Sequence, residues 1–456
     1  MMTERRSVQL SLYTPSLEEI VEPEELLRKI DEAIDFNFIY DELRSFYCAN
    51  NGTYSTDPVI IIKSMLIAFI YGIYSERRLE AELKYNVLYR WFIGLSFGER
   101  VPDHSTISQL RRRKFNDAEI IKKLFTHILR QCAEKGLISG RLLVTDSTHV
   151  KANASKSSKM KIEVERSVNE FYERLDEYEA RERENLGMPE IERKPPEARI
   201  TEQTASASDP EAGWLCRPDK PEGFHYLSHQ TMDSENGIIV DVHVTPGNMP
   251  DCNPYIEQID RAVDILDDID IKVEAVSGDS AYDTAIIHKE LEERGLSVYI
   301  PRKETSDSSK AEFKRDDFIY DKDNDEFTCP NGKVLILRTL QRTETGVYRE
   351  YRANTKDCKN CPYRDKCLTP SQRSRRIQVN IFGHIADKHH ANDGSADYND
   401  ALRKRQIWCE GTFATQKAKH NLRQTFRRGL RAAHDHCLLS ACAVNLKRLI
   451  KCSAGV

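Results

Sequence analysis

From residue 141 the apolar residues leave helical spacing and gather into short runs, and this change of period decides the fold class. "RLLVTDS" (141–147) reads as a strand. "GFHYLSHQTMDS" and "GIIVDVHVTP" are two more, and the "ENG" between them suits a tight hairpin. A helix follows near 251–267, introduced by Asp251. Then come the strand "KVEAVSGDS", a helix "TAIIHKELEERG" closing on Gly295, and the strand "LSVYIP". Strand, hairpin, helix, strand, helix, strand is a mixed α/β sheet.

Before the sheet, residues 17–140 read as helical. Asp57-Pro58 is a cap followed by a first-turn proline. Ser75 can cap a second helix, "ERRLEAELKYN", and Asp103 or Ser105 a third, "TISQLRRRKFND". The third presents Arg111, Arg112, Arg113 and Lys114. Short helices joined by tight turns, one carrying an arginine cluster, fit a helix-turn-helix reader of DNA. A helical bundle with a solvated basic face is the plainer alternative. The formal net charge of -5 over 456 residues means that any nucleic-acid binding comes from local patches. The most apolar run, "VIIIKSMLIAFIYGIY" at 59–74, is broken by Lys63 and is shorter than the ~20 residues of a membrane span. It reads as a buried helix, and the N-terminus has no apolar signal core, so no secretion is expected.

Two inserts interrupt the sheet. Residues 158–200 hold twelve acidic side chains, with Val164, Val168, Phe171, Leu175 and Tyr178 at helical spacing. They are expected to form an exposed amphipathic helix and then a Pro-marked linker, "GMPEIERKPPEA". Residues 302–395 hold Cys329, Cys358, Cys361 and Cys367, in "CPNG" and "CKNCPYRDKC". Four thiolates suit a closed tetrahedral zinc site, and reduced thiols in a small β-subdomain are the alternative. The domains expected are a helical DNA-binding domain at 1–140, a first core part at 141–301, the Cys-rich insertion at 302–395, and a helical C-terminal part at 396–456.

Asp146 and Asp279 each follow an apolar strand at its C-terminal end, where open α/β sheets place their sites. Two such carboxylates on neighbouring strands suit a shared divalent metal, which takes oxygen ligands. Glu410 is the candidate third acid. It lies in "LRKRQIWCEGTFATQKAKHN", where Ile407, Trp408 and Phe413 form an apolar stripe that can face the sheet. Singly each acid has a plainer role, as a turn, a helix cap or a solvated side chain. Together they favour a metal triad. From Arg403 to Arg431 there are nine Lys or Arg and one acid, Glu410. Such a stretch is built to meet phosphates. Arg423, Arg427, Arg428 and Arg431 would share one helix face if helix persists there.

These residues resemble a family. "TDSTHVKANAS", "DPEAGW", "FHYLSHQTMDSENGIIVDVHVTPGNMPD", "GDSAYDT" and the stretch from "CEGTFATQKAKHN" to "NLKRL" look like a DDE transposase of a bacterial insertion sequence, and the likeness spans roughly residues 17–450. The resemblance implies an α/β fold with an RNase H-like core, an N-terminal helical DNA-binding domain and a Cys-rich insertion. It implies Asp146, Asp279 and Glu410 as the acidic triad, holding Mg²⁺ (or Mn²⁺), two ions per site, and one structural Zn²⁺ is expected beside them. Lys417, Arg423, Arg427 and Arg428, with the cluster at 111–114, would bind DNA. Relatives often carry Tyr and Arg where this chain has Arg403 and Gln406, and Arg405 is the candidate substitute guanidinium. The implied partners are double-stranded DNA, as terminal inverted repeats and target, and a second copy in a synaptic complex. The implied place is the bacterial cytoplasm at the nucleoid, with no membrane contact. A metal-dependent nuclease without strand transfer, or a catalytically silent DNA-binding descendant, are the other classes.

Overall fold

The computed structural model describes residues 15–48, 55–166, 170–191, 199–216, 222–303, 312–343 and 346–453. Its centre is a six-stranded mixed sheet. The strands are β1 (Leu143–Lys151), β2 (Gly213–Leu215), β3 (Gly223–Asp233), β4 (Ile239–Pro246), β5 (Ala275–Ser277) and β6 (Ser297–Tyr299). β3 pairs antiparallel with β1 on one edge and with β2 and β4 on the other. β5 lies parallel between β1 and β6. This is the mixed sheet expected of an RNase H-like core.

The hairpin between β3 and β4 turns at Gly237, whose φ of 71° belongs to the left-handed region. A side chain there would also strike the indole of Trp408, 2.2 Å from the Cβ position. Glycine is therefore fixed by both conformation and contact. The helix expected near 251–267 runs Tyr255–Asp267, with Pro254 at its cap position. Asp251 does not introduce it and has another role, described below.

The expected helix caps form in the N-terminal segment. Asp57 accepts from the Val59 amide, Ser75 from Arg78 and Asp103 from Thr106. Helix Pro58–Ile70 is apolar on nearly every side and sits inside. Together with helix Ile120–Glu134 it packs on the long helix Leu430–Ser453, which in turn lies on β4. One hydrophobic core thus runs from the N-terminal helices through the sheet to the C-terminal helix.

The first insert differs from expectation. Val164 lies in a strand, Lys159–Arg166, which pairs antiparallel with Arg199–Ser206. The helix is Glu170–Asn185. Val168 falls outside the described residues, as does most of the linker. The helix is not simply exposed: Leu175 is buried with Ile286 and Val347. Glu179 and Arg183 form a buried ion pair at 2.9 Å. A free helix leaves half its apolar stripe in water; packing on the second insert removes that cost. That second insert is a five-stranded antiparallel sheet with a small core of Phe318, Phe327, Leu335, Tyr351, Ala353 and Ile377.

Candidate active site and nucleic-acid interface

Asp146 does not end its strand. β1 continues to Lys151, held by antiparallel pairing to β3 along its whole length. What ends near Asp146 is the parallel pairing to β5, whose last partners are Val144 and Ser277. Asp146 and Asp279 each lie two residues beyond that pair, Asp146 still within β1 and Asp279 past the end of β5. A strand-end site arises because β5 is short, not because β1 stops.

Burial pushes the Asp146 carboxyl up to about 6. The Ser147 amide and Arg405 pull it down, while Asp279 and Asp251 push it further up. Arg405 Nη1 donates to Asp146 Oδ2 at 3.0 Å, so the guanidinium singled out in the sequence does enter the site. Asp279 accepts from the Ala281 amide at 2.8 Å and caps a short turn. Capping and site membership are compatible here, because one carboxylate offers two oxygens.

Asp251 was missed as a site residue. It accepts from the Ser147 hydroxyl at 3.0 Å. It also joins Asp146 and Asp279 in raising the Tyr282 phenol, which burial already lifts well above its ordinary range. The Tyr282 ring is buried, and its hydroxyl has no hydrogen-bond partner among the described residues. The only sequence signal was "GNMPD" directly after β4; its neighbourhood is tertiary. Among the described residues these carboxylates do not close within 4.8 Å of one another; neighbouring carboxylates with a guanidinium against one of them suit a hard divalent cation by charge and donor type.

Glu410 ends a π-helical turn, Gln406–Glu410, between helices Ala396–Arg405 and Gly411–Lys419. In an α-helix Arg405 and Glu410, five apart, point to different faces; the i→i+5 bonding of a π turn brings such positions towards one face. The turn is anchored by Trp408, whose Nε1 donates to the Ser234 carbonyl at 2.7 Å. The buried Cys409 thiol feels both Asp146 and Glu410, which, after burial, raise it. Glu410 itself is exposed and makes no hydrogen bond or ion pair among the described residues.

The predicted basic residues divide into two groups. Arg112 and Arg113 are exposed, as are Arg423 and Arg428. Lys114 lies over the Tyr47 ring at 3.2 Å and donates to the Phe46 carbonyl. Arg111 is turned inward, buried and paired with Glu76, so it is corrected from a phosphate contact to a structural ion pair. Its inward turn follows from another π segment, Arg111–Phe115, where the expected third helix leaves α geometry. Arg427 faces Asp435 at 3.7 Å, and burial together with Arg111 lowers its pKa to about 10. It is half-buried and partly engaged by Asp435.

The segment 421–429 is not helical, which corrects the shared helix face; helix resumes at Leu430. It runs beside the end of β1 instead: Lys151 donates to the Arg423 carbonyl at 3.0 Å and Thr425 to the Lys151 carbonyl at 2.9 Å. Arg428 Nε donates to the Asn153 carbonyl at 3.1 Å. Lys417 is half-buried and near His225. Lys151, Lys156, Arg423 and Arg428 thus form an exposed basic edge on the strand that carries Asp146.

The four thiols of the second insert share a neighbourhood. Burial raises Cys367, and Cys358, Cys329 and Cys361 all add to the rise. None forms a disulfide. The ligand atoms that close within 4.8 Å of one another among the described residues are a different set, Asp283, His288 and His390. No helix among the described residues is long and apolar enough to cross a membrane.

Residues 15–113 match the family described as Transposase domain (DUF772), and residues 328–450 match Transposase DDE domain. Both matches are to transposase families, one at each end of the chain, and residues 114–327 lie outside them. Among solved structures it is similar to a piggyBac transposase synaptic complex with hairpin DNA, at 10% identity and a TM-score of 0.38, over 94% of this chain and 76% of that one. It is also similar to a Mos1 transposase paired-end complex with the left transposon end, at 11% identity and a TM-score of 0.17, over 57% of this chain and 64% of that one. No curated protein matches the sequence.

Proposed function

We propose that the chain cleaves the ends of its own element and joins them to target DNA, with Asp146, Asp279 and Glu410 as the acidic triad. The observation that supports this reading is the parallel pairing of β1 with β5 at Val144 and Ser277, with Asp146 and Asp279 each two residues beyond it. Asp146, Asp279 and Glu410 would hold Mg²⁺ or Mn²⁺, which would supply the charge that activates the attacking oxygen and stabilises the leaving one. The three carboxylates hold that charge in place. Asp251 acts beside them by fixing Ser147 next to Asp146. Arg405 neutralises Asp146 and keeps two like charges from facing each other unshielded. Phosphoryl transfer needs positioning and neutralisation more than covalent help, and the basic edge of Lys151, Lys156, Arg423 and Arg428, with Lys417 behind it, offers phosphates a track along β1.

Residues 1–140 serve as the DNA-binding part in this reading, with Arg112, Arg113 and Lys114 towards the duplex. The core runs 141–301 and 396–456, and the Cys-rich part 302–395 carries one structural Zn²⁺ on Cys329, Cys358, Cys361 and Cys367. Two copies would pair two element ends. The test uses duplexes taken from the DNA flanking the coding sequence, with Mg²⁺ and labelled target. Joined products support transposition. Cleavage without joining makes the chain a nuclease, and specific binding without cleavage makes it a silent DNA-binding protein.

A further inference from the structure

Helix Ala285–Glu293 follows Asp279, and helix Gly383–His390 leaves the Cys-rich insertion; the two pack together. Between them lie Asp283, His288 and His390. His288 Nε2 is 2.9 Å and His390 Nε2 3.0 Å from the same oxygen, Asp283 Oδ1. Their side chains are 0%, 4% and 12% exposed for His288, His390 and Asp283. The outward nitrogens are also engaged. His390 Nδ1 meets Asp393 Oδ2 at 3.3 Å. His288 Nδ1 meets His389 Nδ1 at 2.9 Å, and His389 Nε2 meets Glu292 Oε2 at 2.8 Å. The Lys303 amide donates to Asp283 Oδ2 at 2.6 Å.

The donors and acceptors of this cluster balance in two ways. Ionised carboxylates only accept, and a neutral imidazole has one donor and one acceptor. With no cation, both Nε2 atoms on Asp283 must carry hydrogens. His390 then needs a second hydrogen for Asp393. His389 needs two, one for His288 and one for Glu292. Two imidazolium ions would sit side by side with little water. With a cation in place of the two Nε2 hydrogens, all three rings are neutral. His390 donates to Asp393, His288 donates to His389, and His389 donates to Glu292. Metal-bound histidines almost always give their other N–H to a carboxylate or another acceptor in this way.

We propose that Asp283, His288 and His390 form a metal site for Zn²⁺ or a similar borderline divalent ion. Two imidazoles and one carboxylate are a donor set that such ions take, and three protein ligands leave one position for water. Bonds of about 2.0–2.1 Å to a tetrahedral ion separate donor atoms by about 3.3 Å, a few tenths more than the contacts to Asp283 Oδ1. The site is distinct from the four cysteines. It clips the chain four residues after Asp279 to the chain twenty residues before Glu410 (283 − 279 and 410 − 390). It therefore fixes how the helix bearing the third acid returns to the sheet. That consequence rests on the proposed triad; metal binding at the site does not, so the two fail separately.

The test is metal analysis of full-length protein purified without chelator and loaded with Zn²⁺ or Co²⁺. In a Cys358→Ser, Cys361→Ser background one ion per chain should remain, with visible Co²⁺ bands and no thiolate charge-transfer band. Adding His390→Gln should remove it. Zinc-edge X-ray absorption of the wild-type chain covers the case in which a substituted protein fails to fold: imidazole scattering supports the site. A folded cysteine variant without metal, metal that persists in His390→Gln, or a wild-type spectrum without imidazole overturns the proposal. Loss of metal on His390→Gln together with slower cleavage supports the clip, and loss of metal with unchanged cleavage keeps the site but removes its role in positioning Glu410.

Discussion

Asp146 shows how a site can oppose the fold that holds it. Its carboxyl rises from an ordinary 3.8 to about 6, so between those values the folded chain holds a proton that the unfolded chain has lost. Stability from this group therefore falls as pH rises through that window, and at neutral pH the ionised side chain is a net cost. Asp146→Asn should remove the cost. The metal-free variant should be more stable than wild type at pH 7, by about 3 kcal/mol given ~1.4 kcal/mol per pKa unit, while Mg²⁺-dependent cleavage is lost. Denaturant melts at pH 5 and pH 7 check the sign: the advantage of the variant should shrink at the lower pH. Equal stabilities at both would remove the electrostatic account of this residue. The arginines make the converse point. Arg111→Ala and Arg427→Ala break ion pairs and should lower stability with little change in the salt slope of DNA binding. Arg423→Ala with Arg428→Ala should leave the melt near wild type and flatten the dependence of log affinity on log salt by up to about 0.9 per lost contact. Affinity measured at several salt concentrations separates the two pairs.

At the scale of elements, the π turn Gln406–Glu410 and the β3–β4 hairpin act as one unit. Trp408 covers Gly237 and bonds Ser234, and Arg448 also donates to the Gly237 carbonyl. Gly237→Ala is strained by its φ and by the indole at once. It should destabilise by about 1–3 kcal/mol. Trp408→Phe keeps much of the ring but loses the N–H bond to Ser234, so it should cost about 1 kcal/mol and slow cleavage more than it weakens DNA binding. Thermal melts with single-turnover cleavage test both, and equal losses of binding and cleavage would argue against a positioning role for the indole.

Across the whole molecule, the sequence was most legible where structure is local. The caps at Asp57, Ser75 and Asp103 and the hairpin follow from short-range rules, and all formed. Four features were not legible. Asp251 reads as a cap because its proximity to Ser147 spans the sheet. β1 reads as ending at Asp146 because "DSTH" is polar, while its continuation depends on pairing to β3, some eighty residues away. The basic stretches read as surface because charge alone does not reveal the inward turn that a π segment gives Arg111 or the partner that Asp435 offers Arg427. The histidine cluster was invisible for the same reason: Asp283 and His288 precede the Cys-rich insertion and His390 lies near its far end.

The central claim is that three acids far apart in sequence act at one place. Single-turnover cleavage of labelled element-end DNA in Mg²⁺, with affinity measured on the same duplex, tests it through Asp146→Asn, Asp279→Asn and Glu410→Gln. Each amide keeps the shape of its side chain and loses the charge that holds a cation. All three should bind DNA about as well as wild type, or slightly better as negative charge leaves a phosphate-facing surface, and none should cleave. If Glu410→Gln cleaves at the wild-type rate, the third acid lies elsewhere and the triad is wrong.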